Sequence, residues 1–193
     1  GGSGTGAYSY STSTPAVCSV NASSGALTLS ATGSCSITAT RATDNNYLVS
    51  ATSPTPAVIT VGLADQATLT AIVTPSSVTY GNTAALTSSG GSGTGAVTFS
   101  AGASTGCSVA GTTLSISNAS GTCSVTATKA ADATYNAATS AAAPVTMNKA
   151  AQATVTVSAP SSAAIGQAGL SAVASGGSGT GAYSYSTSTP AVC

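Results

Sequence analysis

Apolar and polar residues alternate along most of the chain with a period of two. In Cys123-Ser-Val-Thr-Ala-Thr128, Cys123, Val125 and Ala127 fall on one side of an extended chain, while Ser124, Thr126 and Thr128 fall on the other. Cys35-Ser-Ile-Thr-Ala-Thr40 repeats that rhythm, and Ala26-Leu-Thr-Leu29, Leu114-Ser-Ile116, Ala67 to Val73 and Ala153 to Val157 alternate in the same way. The many Thr and Val side chains suit a pleated, half-buried surface. No stretch carries the 3.6-residue spacing of an amphipathic helix. Clusters of Gly, Asn, Ser and Pro, such as Gly81-Asn82, Ala110-Gly111 and Asn118 to Gly121, separate the runs at short intervals. The pattern predicts an all-β chain. Its strands are expected near residues 67–73, 84–88, 96–100, 107–109, 112–117, 122–128 and 135–147, the last interrupted near Pro144.

The alternating runs recur. Residues 1–18, GGSGTGAYSYSTSTPAVC, return unchanged at residues 176–193, so residue 176 repeats residue 1 with a period of 175 residues. A diverged version, GGSGTGAVTFSAGASTGC, starts at Gly90. The long period therefore holds two related halves of about 85 to 90 residues, a usual size for a small domain. Cys18 aligns with Cys107, Leu27 and Leu29 with Leu114 and Ile116, and Cys35 with Cys123. Asp44 likewise aligns with Asp132, Tyr47 with Tyr135, and Gln66 with Gln152. Pro-containing stretches, Ser53 to Val58 and Ala143 to Val145, read as linkers. They divide the chain into residues 1–64, the back part of one domain; 65–149, a complete domain; and 150–193, the front part of the next. The two partial domains complement each other, and each is expected to need a neighbour from the covalent array or from another copy.

Composition narrows the chemistry. Of 193 residues, 3% are charged, against about 25% in an ordinary soluble domain. The six charges are Arg41, Asp44, Asp65, Lys129, Asp132 and Lys149, with neither His nor Glu. They cannot assemble the basic face that nucleic acid requires, so no nucleic-acid partner is expected. Hydrophobic residues make up 42% with no net charge, which argues for folding over disorder. No membrane span is expected either, since the apolar stretches Ala57 to Val61 and Ala141 to Val145 fall far short of about 20 residues. Without His or Glu as a base beside a Ser or Cys, the chain is expected not to be an enzyme and to hold no cofactor. An isopeptide bond from Lys129 or Lys149 would usually need an assisting acid.

Cys18 with Cys35, and Cys107 with Cys123, enclose matching loops in the two halves and are expected to form one disulfide per domain. Zinc is the competing reading, but it would want four ligands at spacings such as C-x-x-C with His, which are absent. Cys193, the fifth cysteine, repeats Cys18 and is expected to be unpaired within this stretch of sequence. With one Phe and no Trp the core is lean, so a bridge worth about 3 kcal/mol would be a sizeable share of a small domain's stability. Disulfides persist outside the cytoplasm, which predicts an extracellular or cell-surface location.

Gly121-Thr-Cys-Ser-Val-Thr-Ala-Thr-Lys-Ala-Ala-Asp-Ala-Thr-Tyr-Asn-Ala-Ala138, and its counterpart Gly33 to Tyr47, resemble the C-terminal half of the bacterial Ig-like repeats of very long surface proteins. Both show a Cys-containing strand, a basic residue, a turn with Asp, and a Tyr opening the last strand. After Tyr47 the first copy departs, with Leu48-Val49 in place of small residues. Seven short strands are also the count of an Ig-like sandwich. The resemblance implies tandem Ig-like β-sandwich domains in an extended array, serving as a fibre, stalk or sheath whose partners are neighbouring domains or copies of the same protein. It carries no catalytic residues. The rival reading is an adhesin or carbohydrate-binding module using Tyr8, Tyr10, Tyr183 and Tyr185 as stacking surfaces. The middle repeat has Val97 and Phe99 at those positions, which favours a buried face.

Three other features have bland readings. The GGSGTG segments lack the Lys or helix that a phosphate loop needs, and are expected to be inter-strand loops. Asp44 and Asp132 bring one carboxylate per turn, too few oxygens for calcium, and are expected to form Asx-type turns beside Arg41 and Lys129. Asn21-Ala-Ser23 and Asn118-Ala-Ser120 match the N-glycosylation pattern at non-equivalent places, while the Ser- and Thr-rich surface is a compositional candidate for O-linked glycans.

Overall fold

The computed structural model describes residues 3–192 and contains strands and no helix among them. The chain divides into two compact units, Gly1–Met147 and Asn148–Cys193.

The first unit holds both repeats. In the first repeat the strands are β1 (Tyr8–Thr12), β2 (Cys18–Val20), β3 (Leu27–Leu29), β4 (Gly33–Arg41) and β5 (Ala57–Val61). They form a three-stranded sheet in the order β1-β4-β5 and a separate β2-β3 hairpin. The stretch read as a linker from Ser53 to Val58 in fact enters β5 at Ala57, and all five β5 residues pair with β4, from Ala57 opposite Ile37 to Val61 opposite Gly33. Pro56 ends the loop immediately before the ladder, where its missing N–H costs no hydrogen bond.

The second repeat contains β6 (Leu69–Thr74), β7 (Ser77–Thr79), β8 (Thr83–Gly90), β9 (Val97–Ser100), β10 (Cys107–Ala110), β11 (Thr113–Ile116) and β12 (Ser124–Lys129). It closes with the short β13 (Ala138–Thr139), β14 (Ala143–Pro144) and β15 (Thr146–Asn148). One sheet runs β10-β11-β8-β6; the other is centred on β12, which pairs with β9, β13 and β14, while β15 joins β7. Pro144 thus ends β14, opposite Ser124, so the stretch read as a linker lies within the sheets, and the last run is interrupted there, as expected, before β15 resumes at Thr146. The alternation read from sequence is the alternation of burial: Val125 and Ala127 are buried, and Ser124, Thr126 and Thr128 are partly exposed. Val78, Ala84, Leu86, Leu114, Ile116, Val125 and Val145 meet the two cysteines in one core, with Phe99 packed against it. That core draws on both sheets, so each layer hides the apolar face of the other.

Register relates the repeats. Tyr10 lies opposite Ala39 in the first and Phe99 opposite Ala127 in the second, while Tyr8 and Val97 face Arg41 and Lys129. In the second unit, β16 (Val155–Ser158) and β17 (Val173–Gly176) form a hairpin with Val155 opposite Gly176. Leu69 and Gly90 pair in the same way in β6 and β8.

Candidate functional site

The polar chemistry of the first unit gathers at two fixtures, each built once in each repeat. The first is covalent. Cys18, at the start of β2, is bonded to Cys35 in β4 with S–S 1.99 Å; Cys107, at the start of β10, is bonded to Cys123, just before β12, with S–S 2.01 Å. Each bond ties the hairpin to the central strand of the other sheet, and all four cysteines are buried. Cys193 lies outside the described residues.

The second fixture holds the GGSGTG loop. Asp132 accepts hydrogen bonds at Oδ1 from the backbone N–H groups of Thr134 (2.8 Å) and Tyr135 (2.9 Å), which is a local Asx turn. Its Oδ2 reaches across to Thr94 in the glycine-rich loop, accepting from the backbone N–H at 2.6 Å and from Oγ1 at 3.2 Å. Asp44 repeats this arrangement with Asn46 and Tyr47 at Oδ1, and with the backbone N–H and Oγ1 of Thr5 at Oδ2. The amide donors hold both carboxyls at a pKa of about 2, below the ordinary 3.8; the leading donor is Asn46 for Asp44 and Thr134 for Asp132, followed in each case by the loop threonine.

The glycines make this approach possible. A Cβ on Gly93 would lie 2.4 Å from Asp132 Oδ2, and one on Gly95 would lie 2.0 Å from the Ala130 carbonyl oxygen; Gly4 and Gly6 stand in the same relation to Asp44 and Ala42. Gly90 turns the chain out of β8 at a φ of 80°, beside the Thr68 carbonyl. The loop is closed from the other side by Ser92, whose Oγ accepts from the Ala67 N–H at 3.0 Å. Gln66 donates through Nε2 to the Asn136 carbonyl at 2.8 Å. Sequence reasoning found the loop and the Asx turn separately and missed that one carboxylate joins them. The available signal was that each GGSGTG of residues 1–95 is followed by an Asp at nearly the same distance, Thr5 to Asp44 and Thr94 to Asp132.

The tyrosines are less uniform. Tyr8 and Tyr10 share a face of β1 with ring centroids 6.4 Å apart, and the Arg41 guanidinium lies 4.9 Å over the Tyr8 ring. Tyr10 packs against Gly25. In the second unit, Tyr183 donates through its hydroxyl to the Gly176 carbonyl, and the Tyr185 hydroxyl accepts from the Ala174 N–H. Tyr47 is exposed and Tyr135 half-buried. Asn21 and Asn118 both lie on exposed loops, where Oδ1 of each caps a local turn, at Ser23 and Ser24 or at Ser120.

A surface cleft of about 250 Å³ lies where the repeats adjoin, lined by Leu29, Ala31, Val61, Ala64 and Thr134 among others; its lining carries no acid, base or thiol. Among the described residues, no three His, Cys, Asp or Glu side chains gather where they could hold a metal ion. No helix there is long and apolar enough to cross a membrane. Comparison with family models, curated proteins and solved structures returned no match.

Proposed function

We propose that this chain is a structural segment of an extracellular fibre, stalk or sheath built from tandem Ig-like sandwich domains. The observation that carries this reading is the pair of fixtures at equivalent places in two successive repeats: a buried disulfide and a carboxylate clasp on the glycine-rich loop. Both hold the fold, and they engage two of the chain's three carboxylates and four of its five cysteines. Two disulfides in a lean core suit an oxidising compartment. A nearly uncharged surface rich in Ser and Thr offers few sites to proteases that cut at basic residues. Each repeat unit touches mainly its neighbours in sequence, as in other repeat arrays.

Electron microscopy of the native material tests the reading. Thin filaments or a regular surface layer are expected, labelled along their length by an antibody to the GGSGTG-containing loop. Label confined to the tips of otherwise unrelated appendages would overturn it in favour of an adhesive role.

A further inference from the structure

The two repeats of the first unit differ at one sheet edge. Strand β1 in the first repeat and β9 in the second each have one ladder partner, β4 and β12, so each turns an outer edge away from its sheet. In an antiparallel ladder successive residues direct their N–H and C=O groups alternately towards the partner and away from it. The Ala130 N–H donates to the Ala96 carbonyl at 2.9 Å, so the backbones of Thr98 and Ser100 also face β12, and those of Val97 and Phe99 face outwards. In β1 the bond from the Ala42 N–H to the Ala7 carbonyl likewise turns the backbone of Tyr10, the counterpart of Phe99, outwards.

The first repeat covers this edge itself. Its β2-β3 loop, residues 21–26, reaches over β1: the Tyr10 N–H donates to the Ala22 carbonyl at 2.9 Å, and the Tyr10 ring lies against Gly25. In the second repeat only Gly111 and Thr112 join β10 to β11, and that turn makes no such bond. Among the described residues, the outward N–H and C=O groups of Val97 and Phe99 have no hydrogen-bond partner. Their side chains are half-buried against the core, while Thr98 and Ser100 are exposed. Nor does the edge carry a charge, a proline or a bulge, devices that keep open strands from pairing.

We infer that the open edge of β9 is a docking strand for β9 of a second copy of this chain. Pairing the two strands antiparallel about a two-fold axis through Thr98 sets Val97 opposite Phe99 of the second copy, and Phe99 opposite Val97 of the second copy. The outward backbone groups of both strands are then satisfied. Thr98 meets Thr98 of the second copy at the axis, a favourable cross-strand pair. The edge selects its own kind: Val97-Thr-Phe-Ser100 presents matched donors and acceptors to itself, with no charge to repel an identical strand and none to attract a charged peptide. The patch is its own partner, so the contact closes as a dimer. Recurring along two tandem arrays, it gains by avidity what one short strand lacks. It deepens the fibre reading by naming what holds arrays side by side, and rests on that reading only for its biological use. A fibre of single arrays would survive the loss of this dimer, and the dimer would stand if micrographs placed the label only at tips.

The test is sedimentation equilibrium of the full chain with Thr98 intact and as Thr98→Lys and Thr98→Glu, run up to the highest soluble concentration. All three carry Cys193→Ser so that no dimer arises from that thiol, and circular dichroism and disulfide content check folding. With Thr98 intact, the mass is expected to rise with concentration towards that of a dimer. Each variant alone is expected to keep the single-chain mass, because like charges meet at the axis, and an equimolar mixture of the two to dimerise again. Amide hydrogen exchange needs no substitution at the edge: the Val97 and Phe99 N–H groups are expected to gain protection as concentration rises. A chain that stays single, association that Thr98→Lys leaves intact, a mixture no heavier than its components, or Val97 and Phe99 amides indifferent to concentration would overturn the inference.

Discussion

A carboxylate that accepts two or three backbone amides is stabilised in its charged form, and the clasps of Asp44 and Asp132 therefore link the glycine loops to pH. Because the folded value, about 2, lies below the ordinary 3.8, the clasp contribution is whole above 3.8 and is lost as pH falls through about 2. Thermal melts are expected to be level from about pH 9 to 5 and to fall towards pH 2. The double variant D44N/D132N should melt lower at neutral pH and lose most of that acid slope, since an amide cannot accept at both of its terminal atoms. The loop glycines can be tested with less chemistry. Gly95→Ala puts a Cβ against the Ala130 carbonyl and is expected to cost about 2 kcal/mol by denaturant titration. Gly62→Ala, with open space around it, should change stability by less than about 0.5 kcal/mol.

At the scale of strands, equivalent residues are not energetically equivalent. Leu114 is fully enclosed between two sheets, so Leu114→Ala removes transfer energy and leaves a cavity, for an expected loss of about 3 kcal/mol. Leu27→Ala, at a side chain 39% exposed in the first repeat, should cost under about 1 kcal/mol. Urea titration of the two variants measures the contrast. The long strands of the second repeat were legible because one face of each is dry: β12 and β6 show it residue by residue, whereas in β4 only Cys35 is buried, and β6, β8 and β11 begin within two residues of where alternation places them. β7 was not legible, since three residues after Pro75 give no period to read. Prolines misled in the opposite direction. Pro56 and Pro144 look like linkers, but one sits just before a strand and the other ends a short edge pairing, where an absent N–H is harmless and the run breaks only until Thr146. The clasp escaped notice because it spans 39 residues in one repeat and 38 in the other, and neither of its ends is unusual alone.

For the whole molecule, the positions of three basic residues against the fold decide where it can be cut. Arg41 ends β4 opposite Tyr8, its N–H and carbonyl bonded to Ser50, and Lys129 ends β12 with ladder partners on both sides, Val97 and Ala138; both are half-buried. Lys149 is exposed, one residue beyond β15, in the segment that follows the first compact unit. A protease needs several residues of free, extended backbone, which only the last of these offers without unfolding a sheet. Limited trypsin digestion of the oxidised chain is therefore expected to give one early cut, after Lys149, and a persistent fragment of residues 1–149 by mass spectrometry. Reduction should change that result, because each disulfide ties a hairpin to the strand carrying the next basic site, and losing it costs about 3 kcal/mol in a small core. With reductant present, cleavage after Arg41 and Lys129 should follow soon after the first cut. An oxidised chain that is cut as fast at Lys129 as at Lys149 would mean that the β12 sheet opens readily, and that the disulfides are not what keeps it closed.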